Sequence, residues 1–269
     1  MKTKLLAIVV ASVSLVPVSA QFQAARPKVV FADTFSSKKM DSKKWLIPTW
    51  YSPYDGTYVG RTQFRTSQNS GLPLIKSGYA RIELETYNPT GFSMYGTDLI
   101  SKRSFKTTSK GVLFTYVVRM QQKFPKGAVA GLFLYSLKEG SDTLHDEIDF
   151  ELLGNDPKKV HTNIYGNEPL GVGRPTSHRF KSGSATTSHT YQILWATDSV
   201  SWYVDGTLVR TITSAEAPIP TGPMFLHVNY WAPDAGWTEA YSSGLAPTDS
   251  NQKNREYFIL LDSIKVEAL

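Results

Sequence analysis

The sequence predicts an all-β protein, a two-sheet antiparallel β-sandwich (jelly roll) with a concave groove. Three observations carry this: apolar residues recur mostly with period two, Gly, Pro, Ser, Asn or Asp punctuate the runs, and no helical periodicity is sustained. About a dozen short strands separated by turn signals belong to a sandwich rather than to an α/β fold.

The elements follow in chain order. Ala80, Ile82 and Leu84 alternate with Arg81, Glu83 and Glu85, the pattern of a strand with one wet face. Val112, Phe114, Tyr116 and Val118 alternate with more polar neighbours. Residues 128–135 are almost continuously apolar, as in a strand covered on both sides. Residues 200–204 and 207–211 flank Asp205-Gly206, which suits a type I′ hairpin turn with positive φ at both positions. Residues 257–266 read as a closing strand. Trp195 and Trp202 fall within these patterns and are expected in the core, and the Gly166 to Gly173 stretch is expected to be a turn.

Two segments resist strand assignment: residues 48–73, with three prolines and three glycines among aromatics, and residues 232–254, rich in Pro, Gly, Ser, Asn and Asp. Long irregular stretches in a compact domain are commonly functional. Trp50, Tyr51, Tyr54, Tyr58 and Trp237 lie in them, which favours loops that bind something.

Residues 1–20 combine Lys2 and Lys4 with an apolar run and a small-residue end at Ala20, the signature of a cleaved secretory leader. The run is too short to span a bilayer, which needs about 20 apolar residues. The expected product is residues 21–269, a single exported, monomeric domain with no membrane partner. Losing Lys2 and Lys4 lowers the formal charge from +6 to +4. The remaining basic residues are scattered rather than striped, which argues against nucleic acid. With no cysteine in the chain, disulfides, thiolate metal sites and cysteine nucleophiles are excluded.

The chemistry concentrates in His145-Asp146-Glu147-Ile148-Asp149-Phe150-Glu151. On a strand, His145, Glu147, Asp149 and Glu151 share one face while Ile148, Phe150 and Leu152 share the other. Three carboxylates in a row, with no Lys or Arg interleaved, repel one another and raise at least one pKa. An exposed acidic strand would gain nothing from that repulsion, whereas a catalytic site uses it. Retaining glycoside hydrolysis needs two carboxyl groups about 5–5.5 Å apart. Cα atoms four residues apart on a strand lie roughly 13 Å apart, so Glu147 and Glu151 must lean toward each other over Asp149.

This run, continued by Leu152-Leu153-Gly154-Asn155, resembles the active-site strand of glycoside hydrolase family 16. The spacing around Asp149 is similar to the lichenase and xyloglucan endotransglycosylase branch, without the extra residue typical of laminarinases. The resemblance implies a retaining endo-β-glucanase in which Glu147 is the nucleophile, Asp149 orients and tunes it, and Glu151 is the acid/base. It implies substrate contacts from Asn163 and Tyr165 in Val160-His161-Thr162-Asn163-Ile164-Tyr165, from Phe133 and Tyr135, and from Trp231 and Trp237. His145 stands where lichenases have Trp and the plant enzymes have His. Asp98-Leu99-Ile100-Ser101 lacks the family's sugar-binding Arg.

Asp262 resembles a position where some members bind structural calcium, although one carboxylate does not make a six- to eight-ligand site, and no other cofactor is expected. His161 and His189 read as structural. The expected partner is a β-glucan polysaccharide, with β-1,3-1,4-glucan favoured. Transglycosylation and non-catalytic carbohydrate binding are the alternatives.

Overall fold

A computed structural model of the chain describes residues 26–47, 58–66, 73–120, 123–141 and 143–269. The expected leader, and Trp50, Tyr51 and Tyr54 of the first aromatic loop, lie outside the described residues.

The strands among the described residues are, in chain order, β1 (Lys28–Asp33), β2 (Trp45–Leu46), β3 (Tyr58–Val59), β4 (Thr62–Phe64), β5 (Ile75–Lys76), β6 (Tyr79–Glu85), β7 (Met94–Phe105), β8 (Val112–Met120), β9 (Val129–Leu137), β10 (His145–Leu153), β11 (Lys159–Glu168), β12 (Thr176–Arg179), β13 (His189–Trp195), β14 (Ser199–Val204), β15 (Thr207–Thr213), β16 (Met224–Trp231) and β17 (Glu256–Ala268). A single 3-10 turn, Asn251–Lys253, is the only helical element among them.

They form two layers. The outer layer runs β15-β14-β13-β8-β17, and the far edge of β17 is shared by β6 and β1. The other layer, here the site sheet, runs β12-β11-β10-β9-β16-β7-β2. β7 belongs to both: its first residues pair with β4 and β6, its remainder with β16. All pairings are antiparallel except β4 with β7.

Alternation explains the packing. β6, β8 and β13 bury every second residue, which turns one face of each toward the site sheet. Between the layers lie Trp45, Tyr116, Phe114, Phe150, Tyr191, Trp195 and Trp202, all fully buried. Burial of large aromatics is the main stabilising term in such a core. The indole N–H groups need acceptors: Trp195 donates to the Pro220 carbonyl at 2.8 Å, and Trp202 donates across the core to the Asp149 carbonyl at 2.9 Å.

The expected hairpin forms as β14-β15, with φ of 50° at Asp205 and 72° at Gly206. Residues 128–135 fall largely in β9, which is covered on both sides only at its start. Two expectations need correction. Residues 58–64 are not loop but the short strands β3 and β4, anchored by long-range pairing with β7 that local composition does not reveal. The stretch from Gly166 to Gly173 does turn, at Leu170-Gly171, but its first three residues still belong to β11; glycine at 166 is required because a Cβ there would stand 2.3 Å from the Pro218 carbonyl.

Candidate active site

β10 is held between two neighbours. β9 pairs with it in unbroken register from His145 opposite Leu137 to Leu153 opposite Val129, and β11 pairs on the other side with one shift between His145 and Asp146. No extra residue interrupts Glu147 to Glu151, so the period of two holds. Ile148, Phe150 and Leu152 are fully buried in the core, and Glu147, Asp149 and Glu151 share the opposite face. Asp146 has the core parity and is buried too, where Lys138 and the Asn167 amide satisfy it.

Directly opposed residues share a face, so the site is a grid. Tyr165, Glu147, Tyr135 and Phe225 form one row, and Asn163, Asp149, Phe133 and His227 the next. His161, Glu151, Gly131 and Asn229 form the third. Trp231 follows beyond Glu151, opposite Val129, with Trp237 5.9 Å away ring to ring. Both tryptophans are half-buried against Val129, Leu153 and Ala240. The expected residues thus gather on one open sheet face, and of the first loop's aromatics only Tyr58 is described, as part of β3.

The carboxylates differ in environment. Burial pushes Asp149 well above the usual carboxylate range, reinforced by the charges of Glu147 and Glu151 and by a hydrogen bond with Glu147. Burial pushes Glu151 up to about 8, with the negative charges of Glu147 and Glu239 adding to it. Both shifts favour the protonated forms, which lessens repulsion along the row, and in its protonated form Asp149 donates to Glu147.

His145 is sandwiched by Tyr165 and Tyr135, at 4.6 Å and 5.5 Å between ring centroids. Its Nδ1 lies 3.2 Å from the Thr143 carbonyl, and its Nε2 lies 3.1 Å from Glu147 Oε2. The second contact is short enough to favour a proton on the ring facing Glu147. Burial opposes the imidazolium, yet contact with Glu147 outweighs it and the net shift is upward. The Tyr135 hydroxyl is pushed up to about 12 by burial and by the Glu147 charge.

Several residues not singled out for the site share its face. His227 stacks on Phe133 at 4.8 Å, and its Nδ1 lies 2.9 Å from Oδ2 of the fully buried Asp98. The sequence lacks the expected Arg in this part of the sheet, where Ile100 is opposite His227. Asn229 accepts from the Gly131 amide at 3.1 Å and occupies the space a Cβ on Gly131 would need. The parity of His227, Asn229 and Trp231 along β16 was the available signal. His161, read as structural, faces the site beside Glu151, and Glu239 reaches it from the loop after β16. His189 is structural as expected, bound to Asp205 and Thr187 in the outer layer.

Asp262 lies at the register shift of β17, in the outer layer. No set of three or more His, Asp or Glu side chains able to hold a metal gathers among the described residues, so a calcium ion at Asp262 would need backbone carbonyls and water for its other ligands.

Fold and site together define a jelly-roll protein with a graded row of carboxylates on an open sheet face. The chain belongs to glycosyl hydrolases family 16, whose model matches residues 63–251. The beta-glucanase of Bacillus licheniformis is 35% identical over 195 residues, covering 68% of this chain and 74% of that protein. Xyloglucan endotransglucosylase protein 8 of Diospyros kaki is 35% identical over 151 residues, covering 54% of this chain and 50% of that one. The beta-glucanase of Bacillus subtilis is 36% identical over 134 residues, 50% of this chain and 52% of its own length. The chain therefore spans about half the length of several curated relatives it matches. Among solved structures, Bacillus licheniformis beta-glucanase superposes with a TM-score of 0.67 at 22% identity, covering 89% of this chain and 97% of that one. The catalytic domain of a Thermotoga petrophila laminarinase gives 0.70 at 18% identity, with 90% and 98% covered. These two share the fold.

Proposed function

We propose that the chain is a secreted, monomeric, endo-acting retaining glycoside hydrolase of β-glucan polysaccharide, with β-1,3-1,4-glucan the favoured substrate. The carrying observation is that Glu147 and Glu151 share one face of β10 while their surroundings differ, Glu151 holding its proton to about pH 8. A carboxyl that burial keeps protonated suits the role of acid, with a second carboxylate on the same face as nucleophile.

Glu147 attacks the anomeric carbon while Glu151 gives its proton to the departing glycosidic oxygen, leaving a glycosyl ester on Glu147. Glu151, now a carboxylate, takes a proton from water, which attacks the same carbon and frees Glu147. Asp149 orients Glu147 by donating to it and releases that hydrogen bond as the ester forms. Asn163 and Tyr165 contact the sugar on one side of the carboxylates, and Phe133 and Tyr135 on the other. Trp231 and Trp237 stack on sugar faces beyond Glu151. No step runs through a metal.

Incubation with barley β-glucan, laminarin and xyloglucan, with product anomers followed by NMR, tests the reading. Reducing ends of retained β configuration are expected, and none from any of the three glucans would sink it. A second reading, transfer to a sugar acceptor instead of water, draws support from the xyloglucan endotransglucosylase relative. It is scored in the same reactions by larger products with no gain in reducing ends.

A further inference from the structure

His161 and Glu239 stand beside Glu151 with no part in the chemistry above. His161 is opposite Glu151 in the β10–β11 ladder, is 4% exposed, and its buried Nε2 makes no hydrogen bond among the described residues. Its nearest charged partner is Glu239, with Oε1 3.7 Å from Nε2. An imidazole nitrogen left bare costs the desolvation of a polar group, so its orientation toward Glu239 needs a reason.

Glu239 is mostly exposed, but its backbone is fixed. Asn155 Nδ2 donates to the Glu239 and Tyr241 carbonyls at 2.8 and 2.9 Å, and Asn155 Oδ1 accepts from Gly127 at 2.8 Å. Arg61 holds the same loop through the Pro233 and Ser242 carbonyls and lies over the Tyr241 ring at 4.5 Å. A carboxylate has thus been brought on a braced loop to a site already crowded with negative charge.

We propose that His161 and Glu239 are a positioning pair for the acid/base: the imidazole steers the Glu239 carboxylate toward Glu151, and its charge keeps the proton on Glu151 until the leaving group takes it. The inference rests on Glu151 being the acid/base. The other charged groups around the pair are Glu147 and Asp149 on β10, Lys159 on β11, Asp156 in the turn before it and His178 on β12. Burial and Lys159 disfavour the imidazolium of His161 whereas Glu239 and Asp156 favour it, and the net shift is downward. A neutral ring with Nε2–H toward Glu239 is the form that steers without adding positive charge.

The test is the pH dependence of kcat/KM on a soluble β-glucan for the wild type, Glu239→Gln, His161→Ala and the double variant. Losing the Glu239 charge is expected to move the alkaline limb down by about half to one pH unit, as for a neighbouring like charge near the surface. His161→Ala is expected to move it the same way by less, the double variant no further than Glu239→Gln, and 1 M salt to shrink the shift. An alkaline limb unmoved in Glu239→Gln, or additive shifts in the double variant, overturns the pair. Glu151→Gln, assayed alongside on an aryl β-glycoside whose phenolate leaves without acid help, with azide as an added nucleophile, separates the two failures. If that variant keeps wild-type turnover, the reading of Glu151 itself falls; if it is inactive and rescued by azide while the limb stays fixed, only the pair falls.

Discussion

Glu151 keeps its proton far above the range of a free glutamate, and that has an energetic side as well as a catalytic one. A folded-state pKa above the unfolded value means that the folded chain binds the proton more tightly. The stabilising effect is complete below about pH 4.5, the ordinary glutamate value, and is lost as pH rises through about 8. Glu151→Gln should therefore melt higher than the wild type at pH 8, by roughly 3–8 °C for a few kcal/mol in a chain of this size, with the gap closing near pH 4. Calorimetric Tm against pH checks this. The same substitution should lower kcat on β-glucan by on the order of 10²–10⁴-fold, the usual worth of general acid catalysis. In the wild type, kcat/KM should fall with an alkaline midpoint near pH 8.

The parity of residues 145–151 was readable in the sequence because a strand has only two faces, and the core side was marked by Ile148, Phe150 and Leu152. The placement of His161 and Glu239 beside Glu151 was not readable, for a different reason. What makes them neighbours of Glu151 is a ladder pairing and a loop that returns after β16, and neither leaves a local trace.

At the scale of elements, turn chemistry and alternation were legible, whereas pairing between distant strands was not. Asp205-Gly206 announced its hairpin, since few residue pairs accept positive φ twice. β7 offered no comparable sign that it leaves one layer and enters the other. Gly131 shows how strand neighbours shape the site. A methyl there would come within 2.5 Å of Asn229 Oδ1, so Gly131→Ala should push Asn229 off its acceptor position beside Glu151. The expected result is a Tm lower by several degrees, for a cost of about 1–3 kcal/mol, together with a raised KM. An unchanged KM would place Asn229 outside the substrate path. Trp237→Ala should raise KM on long glucans roughly tenfold, about 1.4 kcal/mol of lost stacking, with a smaller effect on short oligomers that do not reach it.

At the scale of the molecule, the two layers are joined chemically as well as by packing. Trp202 of the outer layer donates through the core to the Asp149 carbonyl, so the backbone of the carboxylate strand is pinned from behind. Trp202→Phe keeps most of the apolar volume and removes the donor. A loss of about 1–3 kcal/mol is expected from an unsatisfied buried carbonyl, read as a lowered midpoint in urea. If the strand relaxes, kcat should fall more than KM rises.

β17 borders β8 along one side and both β6 and β1 along the other. Three partners from the first half of the chain therefore wait for a strand that the ribosome makes near the end of these residues. Without it the outer layer has unpaired edges on β8, β6 and β1, so these three strands complete their ladders only once residues 256–268 are in place.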